Sequence, residues 1–123
     1  METDVVAKMP EEACGLVAGK GNHARLVLPV TNVLHEAFRF RMDPEEELKA
    51  FISVEEKGWE ILAVYHSHPN GIDHPSPSDF EQLTFPGIIY LIWYQNMNEW
   101  RCRGYMMQAI SDTYEVPVIT MPD

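Results

Sequence analysis

Apolar and polar positions follow two spacings along the chain, one typical of strands and one typical of helices. Short apolar runs bounded by Gly, Asn or Pro predict buried strands, and apolar residues three or four positions apart predict helices. The predicted strands are residues 14–18, 25–30, 38–42, 60–66, 88–94, 100–107 and 114–119, and the predicted helices are residues 2–8, 44–57 and 76–83. Strands and helices alternate only in part, and several strands are expected to form hairpins. We therefore expect an α/β fold of the mixed α+β class, with helices packed on the faces of a sheet.

Three of these segments carry more specific expectations. The second helix has clear local signals, because Asp43 can cap it, Pro44 suits its first position and Gly58 is the expected stop. Its buried face is predicted to consist of Leu48, Phe51, Ile52 and Val54. Apolar and basic residues alternate in residues 38–42, as in a half-buried strand. Residues 114–119 are predicted to form an edge strand, a position that tolerates the proline within them.

Size and charge narrow the class of protein. The chain has 123 residues, the size of one domain, and we expect residues 1–123 to form a single domain. It has 9 Lys and Arg against 19 Asp and Glu, a formal net charge of −10, which disfavours nucleic acid and anionic membrane surfaces as partners. No apolar run approaches the roughly 20 residues of a membrane span, and the acidic start is unlike a signal peptide. We therefore expect a soluble protein of the cytosol.

The two cysteines are not expected to take part in chemistry. Cys14 and Cys102 are far apart in the sequence and neither belongs to a Cys-x-x-Cys pair. In a reducing compartment such residues are typically buried thiols.

The candidate chemistry lies in a histidine pair at the end of a predicted strand. His66 and His68 are two positions apart, so both imidazoles project from one face of that strand. Asp79 follows in the first turn of a predicted helix and can complete a set of three zinc ligands. Three protein ligands leave the fourth tetrahedral position for water, as in catalytic zinc sites. The alternative is that the histidines are satisfied structurally and that Asp79 only caps its helix.

A zinc hydrolase also needs a base that takes a proton from the water. Glu11 and Glu12 precede the first predicted strand. Neighbouring residues in an extended chain face opposite ways, so only one of the two can reach the metal. Periodicity does not choose between them.

The spacing of these residues resembles a known motif. Glu12-Ala13-Cys14-Gly15-Leu16, followed by His66-Ser67-His68, seven residues, Ser76, two residues and Asp79, is similar to the JAMM (MPN+) metalloprotease motif. Residues 32–48 also resemble small prokaryotic members of that family, and the resemblance extends from about residue 10 to residue 107.

The resemblance implies a fold and a role for each matching residue. It implies a JAMM/MPN-type fold, a mixed and mostly antiparallel sheet flanked by helices, with one zinc ion (Zn²⁺) per chain. The implied zinc ligands are His66, His68 and Asp79, and Glu12 rather than Glu11 is the implied base. Ser76 matches the serine that donates a hydrogen bond to the oxyanion, although it is also a candidate helix cap. Ser67 is expected to be a spacer whose side chain faces away.

The same resemblance implies a class of substrate. Members of the family cleave peptide or isopeptide bonds just after the C-terminal tail of ubiquitin or a ubiquitin-like protein. A peptidase that trims a sulfur-carrier protein of ubiquitin-like fold is the first alternative, since the same site would serve it. A non-catalytic MPN scaffold is the second, although such relatives typically lack one or more of the residues that this chain retains. Monomer and homodimer are both compatible with the sequence.

Overall fold

The computed structural model describes residues 1–81, 87–109 and 111–119. In chain order these form α1 (Glu2–Lys8), β1 (Cys14–Lys20), β2 (His23–Val30), α2 (Pro44–Glu56), β3 (Glu60–His68), α3 (Pro77–Glu81), β4 (Ile89–Asn96), β5 (Glu99–Ala109) and β6 (Asp112–Val116). The predicted mixed α+β class is confirmed. The predicted end of the third helix, at residue 83, lies outside the described residues.

One six-stranded sheet organises the fold, in the order β2-β1-β3-β4-β5-β6. The pair β3–β4 is parallel and the other four pairs are antiparallel, as expected for a mixed, mostly antiparallel sheet. A parallel pair requires a crossover connection, and α3 lies in the segment that joins β3 to β4. The carboxyl end of β3, in the middle of the sheet, therefore lies beside the start of this crossover.

The core lies on both faces of the sheet. One buried cluster contains Leu16, Val64 and Ile92 from the strands and Ala50 from α2. The other contains Val17, Ala63 and Tyr65 from the strands and Val5 from α1. Alternate residues of β1 and β3 thus face different clusters, which is the period-2 pattern of strands with both faces covered.

Helix α2 begins as predicted but buries a narrower face. The Asp43 carboxylate accepts hydrogen bonds from the backbone N–H of Glu45 and Glu46, at 2.9 and 3.2 Å. The buried residues of the helix are Ala50 and Val54, whereas Leu48 and Ile52 are exposed, so the prediction for these two was wrong. The reason is geometric, because a helix presents only one side to the sheet. Here that side includes Ala50 and Val54, and Leu48 and Ile52 lie on another side of the helix.

The strand predicted at residues 38–42 is wrong. This segment is irregular, and its one ladder contact is an isolated bridge between Asn32 and Met42. The Asn32 side chain donates a hydrogen bond to the Arg39 carbonyl at 3.0 Å and accepts one from the Arg41 N–H at 3.1 Å. A side-chain amide therefore satisfies backbone groups that a strand would pair with a neighbouring strand.

The last strand is displaced from its predicted position. Strand β6 ends at Val116, so Pro117 follows the strand instead of lying within it.

Both cysteines are free thiols; Cys14 is buried and Cys102 is partly buried. Within the part of the chain that the structure describes, no helix has the length and apolar character needed to cross a membrane.

Candidate metal centre

The predicted ligand side chains converge at the carboxyl end of β3. The Nε2 atoms of His66 and His68 lie 3.1 Å apart. Asp79, in the first turn of α3, places Oδ1 at 3.1 Å from His66 Nε2 and Oδ2 at 3.1 Å from His68 Nε2. Strand alternation aims both rings to one side, and the helix of the crossover brings the carboxylate to meet them.

Glu12 joins the same cluster from the segment before β1. One ligand atom from each of Glu12, His66, His68 and Asp79 lies within 4.8 Å of the other three, and all four residues are buried. The Glu11 side chain lies outside this cluster, at the surface, with its carboxylate 2.6 Å from His35 Nδ1. The structure therefore brings Glu12, and not Glu11, to the histidine pair.

The donor set of this cluster fits a divalent cation. Because a carbonyl oxygen can only accept, the contact of 2.8 Å between His68 Nδ1 and the Ile72 carbonyl places the proton on Nδ1. The Nε2 lone pair of a neutral His68 then faces the Asp79 carboxylate, acceptor against acceptor. In addition, Glu12 Oε1 is buried and has no hydrogen-bond partner among the described residues. A cation bound by nitrogen and oxygen atoms, such as zinc, satisfies the facing acceptors of His68 and Asp79, while Glu12 Oε1 stays available to accept a proton.

The spacing of the acceptors is also that of a small tetrahedral ion. Zinc–nitrogen bonds of about 2.0–2.1 Å imply about 3.3–3.4 Å between two ligand atoms of a regular tetrahedron. The Nε2 atoms of His66 and His68 are 3.1 Å apart, and each lies 3.1 Å from a different oxygen of Asp79. A small expansion of the cluster is enough for the ion.

Electrostatics favour the protonation states that metal ligands need. Burial lowers the pKa of His66, so its imidazole is neutral. Burial alone would raise the pKa of Asp79, but the two imidazoles in contact with its oxygens outweigh burial and hold that pKa well below its usual range. Neutral imidazole and ionised carboxylate are the ligating forms.

Glu12 differs from these groups. Burial raises the pKa of its carboxyl from 4.5 to about 9, and the nearby charges of Asp79 and Glu36 act in the same direction. In the metal-free protein Glu12 is therefore protonated at neutral pH. A cation bound beside it would lower this pKa and ionise the carboxyl, which can then accept a proton from water.

Outer contacts orient the two histidines, and sequence reasoning missed both. The His68 ring is fixed by the Ile72 carbonyl, which leaves no trace in the sequence because every residue has a carbonyl. The His66 ring stacks on Phe40, with ring centroids 4.7 Å apart and planes 23° apart. Phe40 was available as an apolar residue in the alternating segment, but the pattern assigned it to a strand. The hydrogen bond fixes the ring and tautomer of His68. The stacking on Phe40 fixes only the ring plane of His66, whose Nδ1 has no hydrogen-bond partner among the described residues.

Ser76 lies next to Asp79 at the start of α3. Its N–H donates to Asp79 Oδ2 at 2.7 Å, and its carbonyl accepts from the Asp79 N–H at 3.0 Å. The bond from the Ser76 N–H to the Asp79 carboxylate is one of the two hydrogen bonds of a capping box, and it fixes the carboxylate. The Ser76 hydroxyl itself is 3.0 Å from Ser78 Oγ, so its role toward an oxyanion stays a prediction.

Ser67 is a connecting residue as well as a spacer. Its hydroxyl accepts a hydrogen bond from the Ala13 N–H at 2.8 Å, and its own N–H donates to the Ala13 carbonyl at 3.0 Å. The residue is fully buried. It therefore joins the strand that carries the histidines to the segment that carries Glu12.

Comparison with known proteins identifies the family. A family model described as prokaryotic homologues of the JAB domain matches residues 2–103. The chain belongs to this prokaryotic JAB family. The predicted resemblance to small prokaryotic JAMM (MPN+) proteins is thereby confirmed.

Curated relatives of the prokaryotic JAB chain include enzymes from archaea and bacteria. A desampylase of Haloferax volcanii is 39% identical over 87 residues, 68% of this chain and 62% of its own length. A desampylase of Pyrococcus furiosus is 36% identical, covering 72% of this chain and 63% of its own length. A CysO-cysteine peptidase of Mycobacterium tuberculosis is 32% identical, covering 68% and 58%. The chain thus aligns with about three fifths of the length of these relatives.

Solved structures support the same fold. A solution structure of a protein from Desulfitobacterium hafniense has a TM-score of 0.86 and 27% identity, covering 98% of this chain and 86% of its own. A second, from Salinibacter ruber, has a TM-score of 0.65 and 24% identity, covering 95% and 82%, and supports the fold alone.

Proposed function

We propose that this JAB protein is a zinc-dependent peptidase or isopeptidase that cleaves after the C-terminal Gly-Gly tail of ubiquitin or a ubiquitin-like protein. The observation that carries the proposal is the buried cluster of Glu12, His66, His68 and Asp79, in which the side chains of the last three converge and the carboxyl of Glu12 lies beside them. This division is what a hydrolytic metal site requires, with three ligands and a separate base.

The names of the relatives support this class of substrate. One of them, from Thermus thermophilus, is called a probable TtuB-protein conjugate cleaving protease and is 38% identical over 89 residues. Others are desampylases and CysO-cysteine peptidases. Each name describes a hydrolytic enzyme or cleavage at a named protein, which favours an enzyme over a scaffold.

The proposed mechanism assigns one task to each side chain. His66, His68 and Asp79 would hold the ion, and zinc supplies Lewis-acid polarisation and lowers the pKa of water from 15.7 to roughly 7. Glu12 accepts the proton of the attacking water through its unpartnered Oε1 and delivers it to the leaving amine. The Ser76 hydroxyl donates a hydrogen bond to the developing oxyanion.

Trimming of a sulfur-carrier protein is the second candidate, and the CysO-cysteine peptidases among the relatives favour it. The chemistry at Glu12 and the ligands would be the same. The two candidates differ in the leaving group, which is a conjugated protein in the first and an amino acid or short peptide in the second.

A cleavage panel tests the proposal. The protein is incubated with fusions of several ubiquitin-like proteins and sulfur carriers, each ending in Gly-Gly before a leaving group, with and without chelator. We expect cleavage directly after Gly-Gly that stops in chelator and returns with zinc, and the mass of the products identifies the leaving group. Cleavage that persists in the stripped protein would refute the metal mechanism. Zinc uptake without cleavage of any fusion would support the scaffold.

A further inference from the structure

We propose that Asn32 is a positioning residue for Glu12, and that residues 31–42, together with Ser67, set the position of the base. The proposal rests on the function proposed above and deepens it, since it concerns the same reaction. Asn32 carries no charge or nucleophile and is not part of the motif.

Glu12 lies before the first residue of β1, so the sheet ladder does not fix its backbone. Three hydrogen bonds from outside the ladder fix it instead. The Glu12 N–H donates to the Glu36 carbonyl at 2.8 Å, and the Glu12 carbonyl accepts from Asn32 Nδ2 at 3.1 Å. The neighbouring Ala13 N–H donates to the Ser67 hydroxyl at 2.8 Å.

Asn32 uses its whole hydrogen-bonding capacity at this place. Its Nδ2 donates to the carbonyls of Glu12 and Arg39, at 3.1 and 3.0 Å. Its Oδ1 accepts from the N–H groups of Leu34 and Arg41, both at 3.1 Å. The residue is 5% exposed. An asparagine amide offers two donors and two acceptors, so each of the four has a protein partner.

The oxygen and the nitrogen of this amide have different structural roles. The oxygen binds only backbone N–H groups of residues 31–42 and so shapes that segment. The nitrogen donates one hydrogen bond to the Arg39 carbonyl in that segment and one to the Glu12 carbonyl. It therefore holds the backbone of Glu12 at a fixed position relative to the segment. Since one carboxyl oxygen of Glu12 has no hydrogen-bond partner in the described part of the chain, the side chain relies on the backbone for its position. A misplacement of about 1 Å can cost a catalytic group about 100-fold in rate.

The variant Asn32→Asp separates these two roles, because it retains acceptor oxygens for residues 31–42 and loses both N–H donors. We expect kcat to fall about 10- to 100-fold, KM to change less than about threefold and zinc stoichiometry to stay at one, because no ligand is touched. The matched control is Glu46→Ala, which removes the acceptor of the Thr31 N–H at the base of the same segment without reaching Glu12. We expect its kcat to stay within about twofold of the wild type.

Hydrogen exchange gives a readout that does not depend on activity. In Asn32→Asp the Glu12 amide should exchange at least about tenfold faster than in Glu46→Ala, at equal melting temperature or after correction for it. Equal exchange in the two variants, a kcat of Asn32→Asp within twofold of the wild type, or an equal kcat loss in Glu46→Ala would overturn the proposal. If the wild type cleaves no fusion, the proposed function fails while the exchange comparison still decides the positioning role.

A measurement on the wild type covers the case in which Asn32→Asp does not fold. The side-chain amide protons of Asn32 should appear in NMR spectra as a protected pair whose exchange is slowed at least about tenfold relative to an exposed asparagine such as Asn98. Rapid exchange of this pair would contradict the proposal, because it would mean that the donors are free.

Discussion

The two halves of the proposed metal centre, its ligands and its base, are built in different ways. The ligand half lies within residues 66–79, where strand alternation pairs His66 with His68 and a helix cap fixes Asp79. The base half depends on hydrogen bonds between residues far apart in sequence. Asn32 contacts Glu12, 20 positions away, and Ser67 contacts Ala13, 54 positions away. The contacts among the proposed ligands are therefore short-range in sequence, whereas those that position the proposed base are long-range.

This difference predicts which changes separate metal binding from turnover. A change in the ligand half should abolish both. A change in the base half should leave the metal in place and lower the rate.

The largest effect is expected for His68→Ala. Removal of one of two imidazoles leaves an incomplete set of ligands, so zinc content should fall from one per chain to near zero and cleavage to background. His74→Ala is the control from the same loop, since that side chain is 67% exposed and pairs with Asp73. Metal analysis and the cleavage assay on both variants check this; zinc bound by His68→Ala at wild-type affinity would contradict the assignment of ligands.

The next largest effect is expected for Glu12→Gln. The ligands stay intact while the base is lost, so zinc content should stay near one per chain and kcat should fall about 10²- to 10⁴-fold. Glu11→Gln is the matched control, because its neighbouring carboxylate contacts His35 at the surface, and we expect kcat within about twofold. Loss of zinc in Glu12→Gln would mean that Glu12 is itself a ligand.

A smaller loss is expected for Ser76→Ala. Removal of one donor to an oxyanion typically costs about 10²- to 10³-fold in kcat, and the backbone contact with Asp79 does not involve the hydroxyl. Ser78→Ala removes the neighbouring hydroxyl, which contacts Ser76 Oγ at 3.0 Å, and should cost less than about fivefold. Similar kcat values for the two variants would assign the Ser76 hydroxyl to the structure of α3 instead of the reaction.

The last prediction concerns the stability of the metal-free protein and not its activity. The unfolded chain releases the Glu12 proton near pH 4.5, whereas the folded protein keeps it to about pH 9 because the carboxyl is buried. Between these values the folded state binds more protons, so its free energy of unfolding falls as pH rises, by at most about 1.4 kcal/mol per unit. Glu12→Gln lacks this titration and should gain stability over the wild type from pH 5 to pH 9.

Urea unfolding in chelator at several pH values measures that difference. Parallel curves for the wild type and Glu12→Gln would show that the Glu12 carboxyl is not buried in the folded, metal-free protein. In the ligand half, Asp79 is ionised throughout this range and adds no slope, whereas His66, whose pKa is lowered by burial, adds a rise in stability with pH near the unfolded histidine value of 6.5. That rise is common to the wild type and Glu12→Gln, so it does not affect the difference between them.

The same contrast explains what the sequence could predict. The ligand set was readable because the spacing of His66 and His68 and the capping position of Asp79 are local patterns with direct geometric meaning. The choice between Glu11 and Glu12 was not readable from periodicity, because it depends on long-range contacts; the family resemblance made that choice. The fold class followed from the apolar runs.

The errors have a common cause. Residues 38–42 have the alternation of a strand, but their backbone groups bind the Asn32 side chain. Leu48 and Ile52 have helical spacing, yet the packing of α2 on the sheet buries another side of that helix. In both cases the pattern along the sequence did not determine which groups the segment contacts, because those contacts are set by the tertiary structure.

A zinc titration of the metal-free wild type tests the central claim most directly. Bound zinc and the rate of cleavage of a Gly-Gly-tailed fusion are followed together as zinc is added. The account predicts that both rise in parallel and stop rising at one zinc per chain. Cleavage at full rate before zinc is added, or a rate that does not follow occupancy of the first site, would contradict it.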